Sequence, residues 1–243
     1  MTQLHISIAA EEIAKLGSIT VTNSLLTSWI VVAVLVFLFI KLSSSVREIP
    51  SVKQLLIELP IEMIYLLCRS IAGRKAAIFF PYIVVFFLFI LFSNWSGLVP
   101  GVGSILVKSH EEMVPLLRAP TADLNLTFAL ALVSVGLIQY QGVKSQGIKY
   151  FGKFFSLRPA KAFIGFLELV SELSKILSFS FRLFGNIFAG EVLLVVIAVL
   201  VPVIAPIPFY GLELFVGFIQ ALVFSMLTLV FFNLATVRHE EED

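Results

Sequence analysis

Residues 162–201 read AFIGFLELVSELSKILSFSFRLFGNIFAGEVLLVVIAVLV, a nearly continuous apolar run that nevertheless carries Glu168, Glu172, Lys175, Arg182, Asn186 and Glu191. As one helix this run extends about 60 Å at 1.5 Å per residue, twice the roughly 30 Å of a bilayer's hydrocarbon core. It must tilt steeply, lie partly along the membrane, or bend. Glu168, Glu172, Lys175, Arg182 and Asn186 follow one another at spacings of 4, 3, 7 and 4, so on a helix all five project within a sector of about 80°. Each charge turned toward lipid near the bilayer centre costs roughly 2.5–3.5 kcal/mol. The stripe therefore faces water or a polar partner.

Two readings stand for Glu168, Glu172 and Lys175: neutralisation between helical neighbours, or membership of a polar path. Arg182 is different. Its nearest acid on the same face is Glu172, ten residues or about 15 Å away along the axis, and its own turn offers only Ser178, Asn186 and apolar groups. Arginine keeps its proton at any accessible pH and cannot escape burial by becoming neutral. A permanent cation near mid-membrane calls for a carboxylate from elsewhere, and no other crossing supplies one at that depth.

Glu191 lies nine residues beyond Arg182, about 13 Å further along and on roughly the opposite side of the helix. On the next apolar run, Glu213 and Gln220 are seven apart and share a face. If that run returns antiparallel, Glu213 comes to the depth of Glu191, and Gln220 to that of Arg182. The order is then carboxylates toward one side, a fixed cation in the middle, and Glu168 with Glu172 toward the other. Two polar half-pathways separated by a positive charge suit proton relay, for which partly buried carboxylates are the usual carriers.

The rest of the chain fits a polytopic membrane protein. Of 243 residues 59% are apolar and 14% charged, and mean hydropathy is +1.02, which excludes an ordinary soluble domain. A net charge of +1 provides no field for nucleic acid. Met1–Lys15 holds Glu11 and Glu12 with no basic stretch leading an apolar one, and does not read as a cleaved signal. Five membrane crossings are expected in an all-α integral membrane protein, a single membrane domain over 1–243. The first spans 16–40, the second 76–95, the third 124–143, a long tilted helix 162–201, and the last crossing 209–237. Ser96 to Gly101 breaks the uncharged run 76–107 into a helix and a loop, and Pro202, Pro206 and Pro208 interrupt the uncharged run 192–212. An outer loop covers 96–123 and a basic inner loop 144–161.

Residues 51–70 are apolar apart from Glu58, Glu62 and Arg69, which share a helical face with Tyr65. They read as an amphipathic helix in the inner interface, in preference to a buried loop helix. Segments 41–75 and 144–161 hold six and five basic residues, against two in 96–123. The positive-inside tendency puts both basic segments on the cytoplasmic side, with the N-terminus outside and the C-terminal tail inside.

The runs Leu173-Ser174-Lys175, Phe181-Arg182-Leu183-Phe184-Gly185-Asn186-Ile187-Phe188-Ala189-Gly190-Glu191, Ile219-Gln220-Ala221 and Leu227-Thr228-Leu229 together resemble subunit a of F-type ATP synthases. Pro120-Thr121-Ala122-Asp123-Leu124-Asn125 and Ser93-Asn94-Trp95-Ser96-Gly97-Leu98-Val99-Pro100 add to the likeness, which covers most of the chain after about Glu48. The resemblance implies a non-catalytic stator subunit whose last two crossings form a long tilted hairpin against a c-ring, held by peripheral-stalk b subunits, in a bacterial inner membrane. It implies that Arg182 faces the ring carboxylate, that Glu191 is an acid of the outer half-channel and Glu168 of the inner one, and that Asn186 and Gln220 neighbour the arginine. Ser174 and Ser178 match small polar positions beside the path. Some relatives carry histidine where Glu213 stands, so the outer path here has two carboxylates.

No GxxxxGK[ST] or HExxH pattern occurs, so no nucleotide site, cofactor or metal is expected on this chain. His5, His110 and His239 fall in tails or loops and do not suggest a metal site. A self-contained ion-coupled transporter is the alternative, but such proteins often show paired repeats, and there is no second copy of the Arg182 region. An intramembrane hydrolase lacks a plausible nucleophile and base.

Overall fold

The computed structural model describes residues 10–16, 19–43, 52–99, 101–102, 105–109, 112–147, 150, 152, 159–202 and 204–237. His5, His110, His239, half of the basic segment 144–161 and the acidic tail 240–243 lie outside them. Six helices dominate: α1 (Asn23–Ser43), α2 (Val52–Ala72), α3 (Ala76–Ser96), α4 (Leu124–Gln146), α5 (Pro159–Leu200) and α6 (Pro206–Thr236). Five helical stretches are long and apolar enough to cross a membrane: Asn23–Lys41, Glu58–Ser96, Leu124–Gln146, Ala162–Leu200 and Pro206–Thr236. The all-α membrane architecture expected from the hydropathy is the one observed.

Two short antiparallel hairpins were not anticipated, β1 (Glu12–Leu16) with β2 (Ile19–Thr22), and β3 (Leu106–Ser109) with β4 (Glu112–Pro115). They are too short for period-2 patterning to stand out against a chain that is apolar throughout.

The apolar stretch Glu58–Ser96 is not one rod. Gly73, at φ +54°, opens a single 3₁₀ turn over Gly73–Lys75, a left-handed conformation that glycine adopts without a Cβ penalty. The chain reverses there: the Tyr65 and Phe80 rings meet edge to face at 5.2 Å, whereas fifteen residues of continuous helix would hold them about 22 Å apart. α2 buries Ile64, Cys68 and Ala72, at i, i+4 and i+8, and leaves Glu58, Glu62 and Arg69 exposed.

α3 and α6 form the central antiparallel pair. Phe79 packs on Phe232 and Phe86 on Phe224, Asn94 Nδ2 donates to Gly217 O at 2.8 Å, and Trp95 Nε1 donates to Leu214 O at 3.0 Å. At the opposite end Lys75 Nζ donates to Thr236 O at 2.8 Å. α4 runs parallel to α6, joined to it by Ser134 and Thr228 hydroxyls at 2.8 Å and by Gln146 Nε2 donating to Ala235 O at 2.9 Å. Asp123 caps α4 by accepting from Asn125 N at 2.9 Å, and also accepts from Ser24 Oγ of α1 at 2.6 Å. One carboxylate thus satisfies a helix terminus and ties two crossings together.

Thr121 Oγ1 donates to Asn94 Oδ1 at 2.6 Å, so fully buried Asn94 links α6 to the segment before α4. Replacing Asn94 by alanine leaves the buried Thr121 hydroxyl without this acceptor and removes the link to Gly217 O, and should cost about 1 kcal/mol, read as a lowered midpoint of thermal unfolding in detergent. An unchanged midpoint would show that these bonds contribute nothing.

α5 holds 42 residues, about 63 Å of helix, and begins at Pro159 rather than 162. α6 starts at Pro206, three residues before the expected 209. Pro206 occupies the first helical position and Pro208 lies in the same first turn, where backbone N–H groups have no intrahelical acceptor and proline is tolerated. Only Pro202 lies in the α5–α6 turn.

Candidate functional site

α5 packs against α4 and α6 through one side of its length, where Glu172, Phe179, Leu183, Ile187 and Gly190 are buried. Phe179 meets Phe224 at 5.0 Å and Phe231 at 5.9 Å, and Thr127 of α4 reaches Ser180 at 3.3 Å. Further along, a Cβ on Gly190 would overlap the carboxyl of Glu213 on α6. These contacts set an antiparallel register in which Gly190 stands opposite Glu213, and Arg182 stands level with Gln220 and Ala221.

The polar stripe is divided by this packing. Glu172 turns inward and accepts from Lys175 Nζ at 2.9 Å, while the ammonium lies 4.5 Å from the centre of the Phe231 ring. Internal pairing, one of the two readings open for these residues, is what Glu172 and Lys175 show. Glu168, one turn earlier, is half-buried. Arg182, Ser178 and Asn186 are exposed on the adjoining side of α5, among exposed Leu177 and Phe181. Arg182 Nη2 donates to Ser178 Oγ at 3.3 Å, and no carboxylate among the described residues lies within ion-pair distance of it. Ser174 is exposed, its hydroxyl donating to Val170 O at 2.8 Å, and Gln220 is half-buried on α6.

Toward the C-terminal end of α5 two acids meet neighbouring elements. Glu213 is buried at 6% exposure, seated where glycine at 190 leaves room. Glu191, the next residue, pairs with Arg118, whose Nε and Nη2 both reach Glu191 Oε2 at 3.3 Å. The geometry thus holds Glu191 and Glu213 at one level of the hairpin, while Arg182 lies further along the helix on another side. Arg118 was missed at the sequence level, where it counted only as one of two basic residues in 96–123. A sign was present: it is a lone charge in the otherwise uncharged run Met113–Ala122, immediately before the Pro120 motif.

A family model of the ATP synthase A chain matches residues 25–233. The chain belongs to the ATP synthase A chain family. The match includes all six helices in whole or in large part, and every residue of the site just described. Membership of this family makes the chain a multi-pass component of the membrane sector of ATP synthase, associated there with a c-ring and other subunits. The exposed Arg182 face of α5 and the Glu191–Glu213 level of the hairpin therefore belong to a subunit that works in an assembly.

Proposed function

We propose that this subunit provides two offset half-paths for protons, separated by Arg182, and that Arg182 opposes a carboxylate of the c-ring. The observation that carries the reading is the placement of Arg182: a permanent cation on the exposed side of a membrane helix, with no carboxylate partner among the described residues. A cation so placed needs an anion from a neighbouring chain, because lipid contact costs several kcal/mol.

Glu191 and Glu213 line the outer half-path, with Asn186 and Gln220 between them and the arginine. Glu168 serves the inner half-path, with Ser174 and Ser178 beside it. A proton arriving by Glu191 and Glu213 neutralises a ring carboxylate, which loses its attraction to Arg182 and can turn into lipid. After nearly a full turn, another ring site releases its proton toward Glu168. Direct passage between the half-paths is opposed by the fixed positive charge. A potential of 100 mV supplies about 2.3 kcal/mol per charge moved, so several protons must contribute before nucleotide chemistry on other chains. This chain performs no bond chemistry of its own.

The same reading puts the N-terminus outside and the C-terminus in the cytoplasm of a bacterial inner membrane, from the distribution of basic residues. It lays α2 in the inner interface, its Glu58, Glu62 and Arg69 turned to water, and leaves peripheral-stalk b subunits to hold the chain against the ring.

Cysteines introduced at 178, 182 and 186, each paired with cysteines flanking the ring carboxylate, test the contact. Disulfides should form in native membranes at these positions and fail at 165 or 187, which are buried. Native Cys68 is buried on α2 and does not compete. Failure at all three exposed positions would favour a self-contained transporter.

A further inference from the structure

Arg118 lies outside the hairpin, between β4 and the 3₁₀ turn at Pro120–Ala122, yet it is only 7% exposed. Its contacts include Thr27 of α1 and Phe188 and Glu191 of α5. Its backbone N–H donates to Thr27 Oγ1 of α1 at 3.2 Å, anchoring the segment to the first crossing. Its guanidinium carbon stands 5.9 Å over the Phe188 ring. Its Nε and Nη2 converge on a single oxygen, Glu191 Oε2, at 3.3 Å each. Phe188 and Glu191 are three apart and so neighbours on α5, which lets one planar guanidinium rest on the ring and reach the acid together. A lysine has the charge but neither the planar stacking surface nor the paired donors.

Nε and Nη2 both go to Oε2. Glu191 Oε1 receives no hydrogen bond from the described residues, and the side chain keeps 38% of its surface accessible. One oxygen of the acid is therefore clamped while the other carries no hydrogen bond from the described residues. The groups acting on this carboxylate are Arg118, Glu11 of the N-terminal segment and, opposite the adjoining Gly190, Glu213.

The geometry points to Arg118 as a positioning residue for the outer half-path, holding Glu191 by Oε2 so that Oε1 is the oxygen that takes up and releases the proton. A surface ion pair that merely fastened the loop would contribute little, and its loss would leave proton transfer through each assembled complex unchanged. The inference rests on the reading of Glu191 as a proton carrier, and the test separates the two.

Whole ATP synthase carrying Arg118→Gln, Arg118→Lys or Glu191→Gln is assembled in membranes, and the chain and c-ring recovered together are quantified. Passive proton conductance of vesicles stripped of the catalytic head is then measured per assembled complex across pH. Arg118→Gln should lower conductance about tenfold, the order expected when a reacting group drifts by a fraction of an ångström, and should displace the pH profile as well as scale it. Arg118→Lys should fall between that variant and the parent, since one ammonium can still reach Oε2. Parental conductance and profile in Arg118→Gln would overturn the inference. If Arg118→Gln does not assemble, Arg118→Lys decides: reduced conductance supports the two-donor clamp, and parental conductance overturns it. Normal conductance in Glu191→Gln would instead overturn the proton-carrier reading on which the inference stands.

Discussion

Replacing Arg182 by alanine should abolish proton-driven ATP synthesis while the chain still assembles with its ring. Assembly should survive because Arg182 contributes little to the packing of its own chain: it is exposed on α5, and its guanidinium donates to the neighbouring Ser178 hydroxyl at 3.3 Å. The contacts that hold α5 to α4 and α6 pass through Phe179, Ser180, Leu183 and Ile187 on another side of the helix. Synthesis is lost for an electrostatic reason. On the proposed arrangement, an ionised ring carboxylate would have no counter-charge at the interface without the cation, and the barrier between the half-paths would disappear. Arg182→Lys should also synthesise little, since an ammonium in such a site can lose its proton whereas a guanidinium cannot. Synthesis rates in energised vesicles, normalised to the c-ring recovered with the chain, measure both. Parental rates in Arg182→Ala would remove Arg182 from the mechanism.

A methyl group added at Gly190 should be nearly as damaging, although glycine carries no chemistry. The Cβ of Gly190→Ala would occupy space now held by the carboxyl of Glu213, which is buried and would have to shift. The movement that relieves this overlap displaces the carboxyl of Glu213, a group of the proposed outer half-path. Proton conductance should fall about tenfold or more, by the same sensitivity to position. Glu213→Asp in the same chain withdraws the carboxyl by one methylene and should restore part of the loss. Gly136→Ala on α4 is the control, since nothing lies within 4 Å of the added Cβ, and it should conduct normally. Equal conductance in Gly190→Ala and Gly136→Ala would show that the close approach to Glu213 does not matter.

The membrane architecture was legible because lipid imposes a rule that soluble folds escape. A crossing must be a long apolar helix, and uncharged runs of about 20 residues are countable. The level of Glu213 beside Glu191 was also legible, because an antiparallel return fixes axial depth from residue counts alone. What could not be read is how the polar stripe on α5 divides. A 100° period places Glu172, Lys175 and Arg182 in one sector, but the crossing of α5 over α4 and α6 decides which of them is covered. Glu172 and Lys175 went under Phe231, and Arg182 stayed outside.

The reversal at Gly73 was hidden for a similar reason: its apolar flanks suit a bent chain as well as a straight one, and only the Tyr65–Phe80 contact distinguishes them. Arg118 pairs across 73 residues, beyond any local pattern. The prolines at 206 and 208 read as breaks because position within the first turn, where they are harmless, depends on where the helix begins.

The separation of the two half-paths by a turning ring is tested most directly by passive proton conductance with the ring immobilised. A disulfide between the chain and a ring subunit, placed away from residue 182, stops rotation and can be released by reductant. With Arg182 present, conductance should vanish in the locked state and return on reduction. With Arg182→Ala, the locked assembly should leak, because the charge barrier is gone. Undiminished conductance through the locked parental assembly would contradict the two-path arrangement, since protons would then be crossing without the ring's rotation.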